Sequence, residues 1–151
     1  DVDLEKWCIT GGMKTDAGRH RTVPIHTCIR ELVKRNYDES IALGSDRLFN
    51  DPDSPKGGMK ITYDKYASRF DKVVVSLQLR SEHRPHDPRT TFITMAKKAG
   101  VDEYVVKRLA GHKITDVTEA VYTIRDIEWL RDEIEKMPGP SQTQSISNIQ
   151  T

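Results

Sequence analysis

Long apolar runs are missing from this chain, cysteine is reduced to Cys8 and Cys28, and aromatic residues fill 7% of its 151 positions. Each shortage removes a class of protein. No stretch is long and apolar enough to span a bilayer, and no charged-then-apolar leader opens the chain, so a cytoplasmic protein without a membrane partner is expected. Two cysteines, each beside apolar residues, read as small core residues of a reducing compartment rather than as a disulfide. The five histidines come without cysteines or carboxylates at ligand spacing, which argues against a metal centre. An excess of one charge is absent too. With 24 Lys and Arg against 23 Asp and Glu, the overall balance says little about partners. The length suits one compact domain with one sizeable core.

What is present is unevenly distributed. Residues 80–113 hold Arg80, Arg84, Arg89, Lys97, Lys98, Lys107, Arg108 and Lys113 against four acidic side chains, a local positive charge that favours a phosphate-rich partner. Residues 126–137 run the other way, with Asp126, Glu128, Asp132, Glu133 and Glu135 facing Arg131 and Lys136, and such a run reads as a solvated helix face.

The order of elements is α+β: mostly helical, with a small antiparallel sheet near the front. Trp7, Cys8 and Ile9 suggest a strand, the turn signal of Asp16, Ala17 and Gly18 follows, and Arg21 to Ile25 suggest a second strand with Pro24 where an end tolerates it. Thr27 is a candidate N-cap for a helix that places Ile29, Leu32 and Val33 on one face and fades near Asn36. Residues 50–58 carry two prolines and two glycines and form a loop. Thr62 opens a longer helix with Tyr66, Phe70, Val73 and Leu77 at near-helical spacing, although three consecutive valines mildly disfavour it. A further helix starts at His86, buries Phe92, Ala96 and Ala99, and ends at Gly100. Asp102 caps a short helix through Leu109, Thr115 or Asp116 starts one reaching Tyr122, and Asp126 caps a last one to Met137. From Pro138 the chain lacks an apolar period and reads as a disordered tail, 138–151.

Three short motifs could carry chemistry. His86 and Arg89, three apart in His-Asp-Pro-Arg, would project from one face of a helix start, about 5–6 Å apart at Cβ. An arginine fork matches two phosphate oxygens, unpaired helix N–H groups add to it, and the histidine can move a proton near neutral pH. His112 follows Gly111 in Leu-Ala-Gly-His, where a turn can present an imidazole to a cleft. Tyr122 sits among Ala120, Val121 and Ile124. Taken singly, each has a plainer account that base rates favour: a helix-capping histidine with a surface ion pair, a satisfied loop histidine, and a core tyrosine.

Together, in this order and spacing, the motifs resemble the catalytic C-terminal domain of the tyrosine recombinases, the phage-integrase family. The likeness extends from Asp1 to about residue 137. Gly11 to Ile25, with Lys14 near the turn and a strand ending in Val23 and Pro24, is similar to that family's β-hairpin. The resemblance implies site-specific DNA recombination on double-stranded DNA, without metal or cofactor, by a tetramer of the full-length protein. It assigns Tyr122 as the nucleophile that forms a 3′-phosphotyrosine and Arg89 as a phosphate clamp. His86 would assist proton transfer or position the phosphate, His112 would bond the same phosphate, and Lys14 would be the general acid. The segment after the nucleophile, with Ile127, Leu130, Ile134 and Met137 on one stripe, would pack either on a neighbouring protomer or on its own domain.

The family pattern also includes an earlier arginine on a helix before the hairpin, and none of Arg19, Arg21 or Arg30 stands in that context. The expectation is therefore a partial catalytic domain, 1–137, lacking that helix and the core-binding domain, and inactive or nearly so when isolated. Rival readings stay open on the residues alone: a histidine-based phosphoesterase, a non-enzymatic DNA- or partner-binding module, or, within related chemistry, a type IB topoisomerase.

Overall fold

The computed structural model describes residues 1–12, 19–114 and 126–139. They form an α+β arrangement of three short antiparallel strands and five helices, as the sequence pattern predicts. The expected helix ending at Tyr122, the turn at Asp16 to Gly18 and most of the expected tail lie outside the described residues. The chain divides into two compact units, residues 1–30 with 95–151 and residues 31–94.

In the first unit, β1 (Val2–Asp3), β2 (Cys8–Gly11) and β3 (Arg21–Pro24) pair in that order. The β2–β3 register sets Cys8 opposite Pro24 and Thr10 opposite Thr22, whose hydroxyls bond across the pair at 2.8 Å. Pro24 closes β3, where its missing N–H costs little. Two helices complete the unit. α4 (Glu103–Ala110) buries Tyr104, Val105, Val106, Leu109 and Ala110, and α5 (Ile127–Ile134) buries Leu130 and Ile134. α5 packs on β3 and on α4, and the Tyr104 and Trp129 rings meet at 6.3 Å between centroids. Cys8 belongs to this core, and burial pushes its thiol up.

The stripe after the nucleophile candidate therefore packs, in its buried part, on its own unit. Its helix ends at Ile134, three residues short of the expected Met137. The expectation of a solvated acidic face fails at one position, because Glu133 is 8% exposed. Its Oε2 accepts the Asp102 N–H at 2.8 Å and its Oε1 accepts Lys136 Nζ at 2.6 Å.

Two more polar contacts anchor the same helix. Arg131 donates to the Lys6 carbonyl in the β1–β2 turn. Glu135 Oε1 accepts both the Thr27 N–H at 2.8 Å and the Thr27 hydroxyl at 2.6 Å, with His26 Nε2 3.4 Å from its other oxygen. Burial pushes the Glu135 carboxyl up, but the Thr27 bonds, His26 and Arg30 outweigh it and hold the group below the usual carboxylate range.

The segment after β3 differs from expectation in three ways. His26, rather than Thr27, is the cap, its Nδ1 accepting the Cys28 N–H at 3.1 Å at the head of a 3₁₀ turn, Thr27–Ile29. None of that turn's residues is buried, so Cys28 is exposed and not a core cysteine. α1 (Arg30–Ala42) then runs well past Asn36. It buries Val33 and leaves Leu32 and Ile29 outside. Continuation is allowed because the Ser40 hydroxyl, which would otherwise compete for backbone, is tied at 2.7 Å to the Asn36 carbonyl within the helix.

In the second unit, α2 (Tyr63–Ser76) begins at the expected Thr62 cap, whose hydroxyl accepts the Lys65 N–H. The three valines do not interrupt it. Its stripe is not core, however: Tyr66, Val73 and Leu77 are exposed, and Val74 is the residue that is buried. The 50–58 loop hides one carboxylate, Asp51, 1% exposed and paired with Lys65 of α2. α3 (Asp87–Lys98) starts one residue after His86. It buries Ala96 fully and Phe92 and Ala99 partly, and ends at Gly100, whose φ of 72° suits glycine.

Replacing Leu130 with alanine is expected to cost about 2–5 kcal/mol through the cavity it leaves. Urea unfolding should show this as a lower midpoint at unchanged slope. Because the Glu135 carboxyl is depressed in the folded chain, its stabilisation is complete above the unfolded carboxylate value of about 4.3 and is lost as pH falls through the lower folded value. Thermal melts between about pH 6 and pH 2.5 should therefore show a flatter acid limb for Glu135→Gln.

Candidate active site

The start of α3 is built by a polar turn. Asp87 Oδ2 accepts the Arg84 N–H at 3.1 Å, and the Asp87 N–H returns to the Arg84 carbonyl at 2.9 Å. His83 Nδ1 lies 3.2 Å from the same Asp87 oxygen, within hydrogen-bond distance. The Arg84 amide first, and then the His83 ring, hold the Asp87 carboxyl below its ordinary range. Pro88 follows at the second helical position, where no N–H is required.

This turn delivers the first pair of candidates. His86 is exposed immediately before the helix, and its carbonyl accepts the Arg89 N–H at 3.1 Å. Arg89 is half-buried in the first turn, and its guanidinium has no hydrogen bond or ion pair among the described residues. A half-desolvated cation near the positive end of a helix, with no counter-charge among the described residues, is suited to a bound anion.

The second position is set by the end of α4. Asp102 caps the helix, its Oδ1 accepting the Tyr104 N–H at 2.9 Å and the Val105 N–H at 3.4 Å. At the other end Gly111 adopts a φ of 71°. The His112 N–H then closes onto the Lys107 carbonyl at 2.8 Å, a left-handed glycine termination that turns the chain sharply out of the helix. His112 leaves this termination exposed.

His86 and Arg89 thus come together at one helix start, in the unit of residues 31–94, while His112 belongs to the other unit. Lys14, between β2 and β3 in the sequence, and Tyr122, between α4 and α5, lie outside the described residues. No helix among the described residues is long and apolar enough to cross a membrane. No group of His, Cys, Asp and Glu among them could hold a metal ion.

Two features were missed in the sequence. One is Glu133, whose signal was hidden because its partner, Asp102, is 31 residues away. The other is an open apolar groove within the second unit, about 690 Å³, lined by Phe49, Ile61, Tyr63, Tyr66, Phe70 and Val73, with Arg69 among its walls. Its signal is the α2 stripe itself, Tyr66, Phe70 and Val73 at near-helical spacing.

The described residues thus combine a mostly helical α+β arrangement, a small front sheet, a His-x-x-Arg helix start and a histidine after a glycine-terminated helix. The family model for the phage integrase family matches residues 1–128, and the chain belongs to that family, the tyrosine recombinases. That membership places it among proteins of site-specific recombination, which cleave and rejoin DNA. No curated protein and no solved structure matches it.

Proposed function

We propose that this chain is the catalytic part of a site-specific recombinase that integrates or excises a phage or other mobile element in the cytoplasm. The observation that carries the reading is Arg89, a half-buried guanidinium with no counter-charge among the described residues, in the first turn of α3.

In this reading the Tyr122 hydroxyl passes its proton to His86 or to solvent as its oxygen attacks the scissile phosphorus. A bond forms between the phenolic oxygen and phosphorus, and the bond from phosphorus to the 5′ oxygen breaks. The departing oxygen takes a proton from the Lys14 ammonium and leaves as a 5′-hydroxyl. Phosphate stays on the 3′ end as a phosphotyrosine, which conserves the bond for rejoining when another 5′-hydroxyl attacks. Arg89 holds the non-bridging oxygens as charge builds on them, His86 positions the phosphate or relays a proton, and His112 bonds the same group. No step calls for a metal.

Residues 1–137 belong to the catalytic domain, and the full-length protein works as a tetramer on double-stranded DNA.

In the full recombinase, Tyr122→Phe is expected to abolish covalent adduct on a suicide DNA substrate while leaving DNA binding intact. Equal loss of both, or of neither, would point to a binding module. Arg89→Ala should slow adduct formation by about 10²–10³, as for a lost oxyanion donor. A chelator should change neither rate, whereas a metal-dependent phosphoesterase would stop.

A further inference from the structure

The last turn of α4 holds two cations that the fold treats differently. Lys107 pairs with Glu103 one turn earlier, at 3.0 Å. Arg108 is half-buried, and its Nε is shut off from solvent with no hydrogen-bond acceptor among the described residues. Its guanidinium makes no ion pair among them either. The buried carboxylate described in the same unit, Glu133, is engaged by the Asp102 N–H and by Lys136. Arg21, at the head of β3, has the same orphan Nε, but Arg108 is the one that adjoins a candidate site residue.

A buried N–H without an acceptor costs free energy, and folded proteins keep few of them except where an ion, a water or a ligand completes the bond. The carboxyl end of a helix favours a cation through the backbone dipole. That dipole gives Nε no acceptor, and packing of the aliphatic stem would be met as well by an apolar side chain of similar length. What the fold leaves unused is the planar fork, which matches two oxygens of a phosphodiester. Its place is fixed. The Arg108 carbonyl accepts the Gly111 N–H at 3.0 Å and the Lys107 carbonyl accepts the His112 N–H at 2.8 Å, so residues 107–112 form one hydrogen-bonded piece.

We propose that Arg108 is a DNA-binding residue that grips a backbone phosphate of the duplex beside the phosphate bonded by His112. The phosphate oxygens supply the acceptor that Nε lacks in the free protein. The proposal rests on the reading of the chain as a DNA recombinase and of His112 as a phosphate ligand. A contact of this kind carries no sequence information, and it releases bound counterions, so it is recorded in the salt dependence of binding.

The test measures binding of the full recombinase to a short DNA duplex of arbitrary sequence over a range of salt, with the melting temperature of the free protein read alongside. Arg108→Met keeps the stem and removes the charge, and Arg108→Lys keeps the charge and removes the fork. In the methionine variant, affinity is expected to fall about tenfold near 0.1 M salt, and the slope of log affinity against log salt to become shallower by about 1. The lysine variant should keep the wild-type slope. Arg108→Met should also melt at or above the wild-type temperature, because it removes an unsatisfied donor and no bond. The proposal is overturned by a wild-type slope in Arg108→Met, by a slope in Arg108→Lys as shallow as that of the methionine variant, or by a methionine variant that melts lower or does not fold. The last result would assign the guanidinium to a contact inside the protein. Its failure stays distinct from failure of the underlying reading. A wild-type protein that binds no duplex sinks the recombinase reading, whereas duplex binding with an unchanged slope in Arg108→Met removes the Arg108 contact alone.

Discussion

The docking of α5 is the constraint from which the rest of the first unit follows. That helix has only eight residues, too few to be stable alone, so its geometry must be imposed from outside. Leu130 and Ile134 provide the burial, against β3 and α4. Three polar contacts then tie successive positions to three different places. Arg131 holds the Lys6 carbonyl, Glu133 the cap of α4, and Glu135 the turn after β3. An apolar contact alone would leave the helix free to rotate or slide by a fraction of a turn. Three directional contacts to separate elements leave it one position. The sheet, the 3₁₀ turn and the short α4 are therefore fixed relative to each other through the last helix in the described chain.

That arrangement also explains the form of α4. It exposes little, and its apolar residues Tyr104, Val105, Val106, Leu109 and Ala110 are buried over barely two turns. A helix so short and so buried needs both ends satisfied locally, or its orphan N–H and C=O groups would be stranded away from water. Asp102 and Glu133 serve the first end, and Gly111 with the His112 N–H serves the second. The histidine proposed to meet phosphate is thus the residue that completes a helix termination. Its backbone is committed by the fold while its ring stays exposed.

Much of this was legible in the sequence, and the exceptions share one cause. Caps at Thr62, Asp102 and Asp126, and glycine stops at Gly100 and Gly111, act over three or four residues and could be read directly. So could β2, β3 and the start of the His-Asp-Pro-Arg helix. The family likeness rested on such local signals in order. Errors fell where the partner is remote. Glu133 looked like one of a run of solvated carboxylates because Asp102 is far along the chain. Cys28 looked like core because its apolar neighbour, Ile29, proved to be outside as well. His26 replaced Thr27 as cap because its ring also reaches the Met137 carbonyl at 3.1 Å, a contact no local rule anticipates. The α2 stripe had the right period for burial, but a period specifies a face and not what covers it.

The two units are held by different means. Among the described apolar residues that are buried, only Val33 and Val74 belong to residues 31–94, and the rest belong to the other unit. The thinly cored unit relies on polar locks instead. The Ser40 hydroxyl lies 2.6 Å from the Arg47 carbonyl and accepts the Asn50 amide at 2.9 Å, Asp51 pairs with Lys65, and Asp87 closes the turn before α3. Such locks specify geometry well but add little net stability, since each charged group gives up water to make them. Local opening costs least where buried apolar contacts are few. The start of α3 with Arg89 therefore sits on the more compliant unit, and the α4 terminus with His112 on the firmer one. An anion held by Arg89 would supply the counter-charge that the guanidinium lacks among the described residues. In the reading proposed for Arg89, part of the energy of holding an anion at that helix start would go into ordering its own unit rather than into affinity.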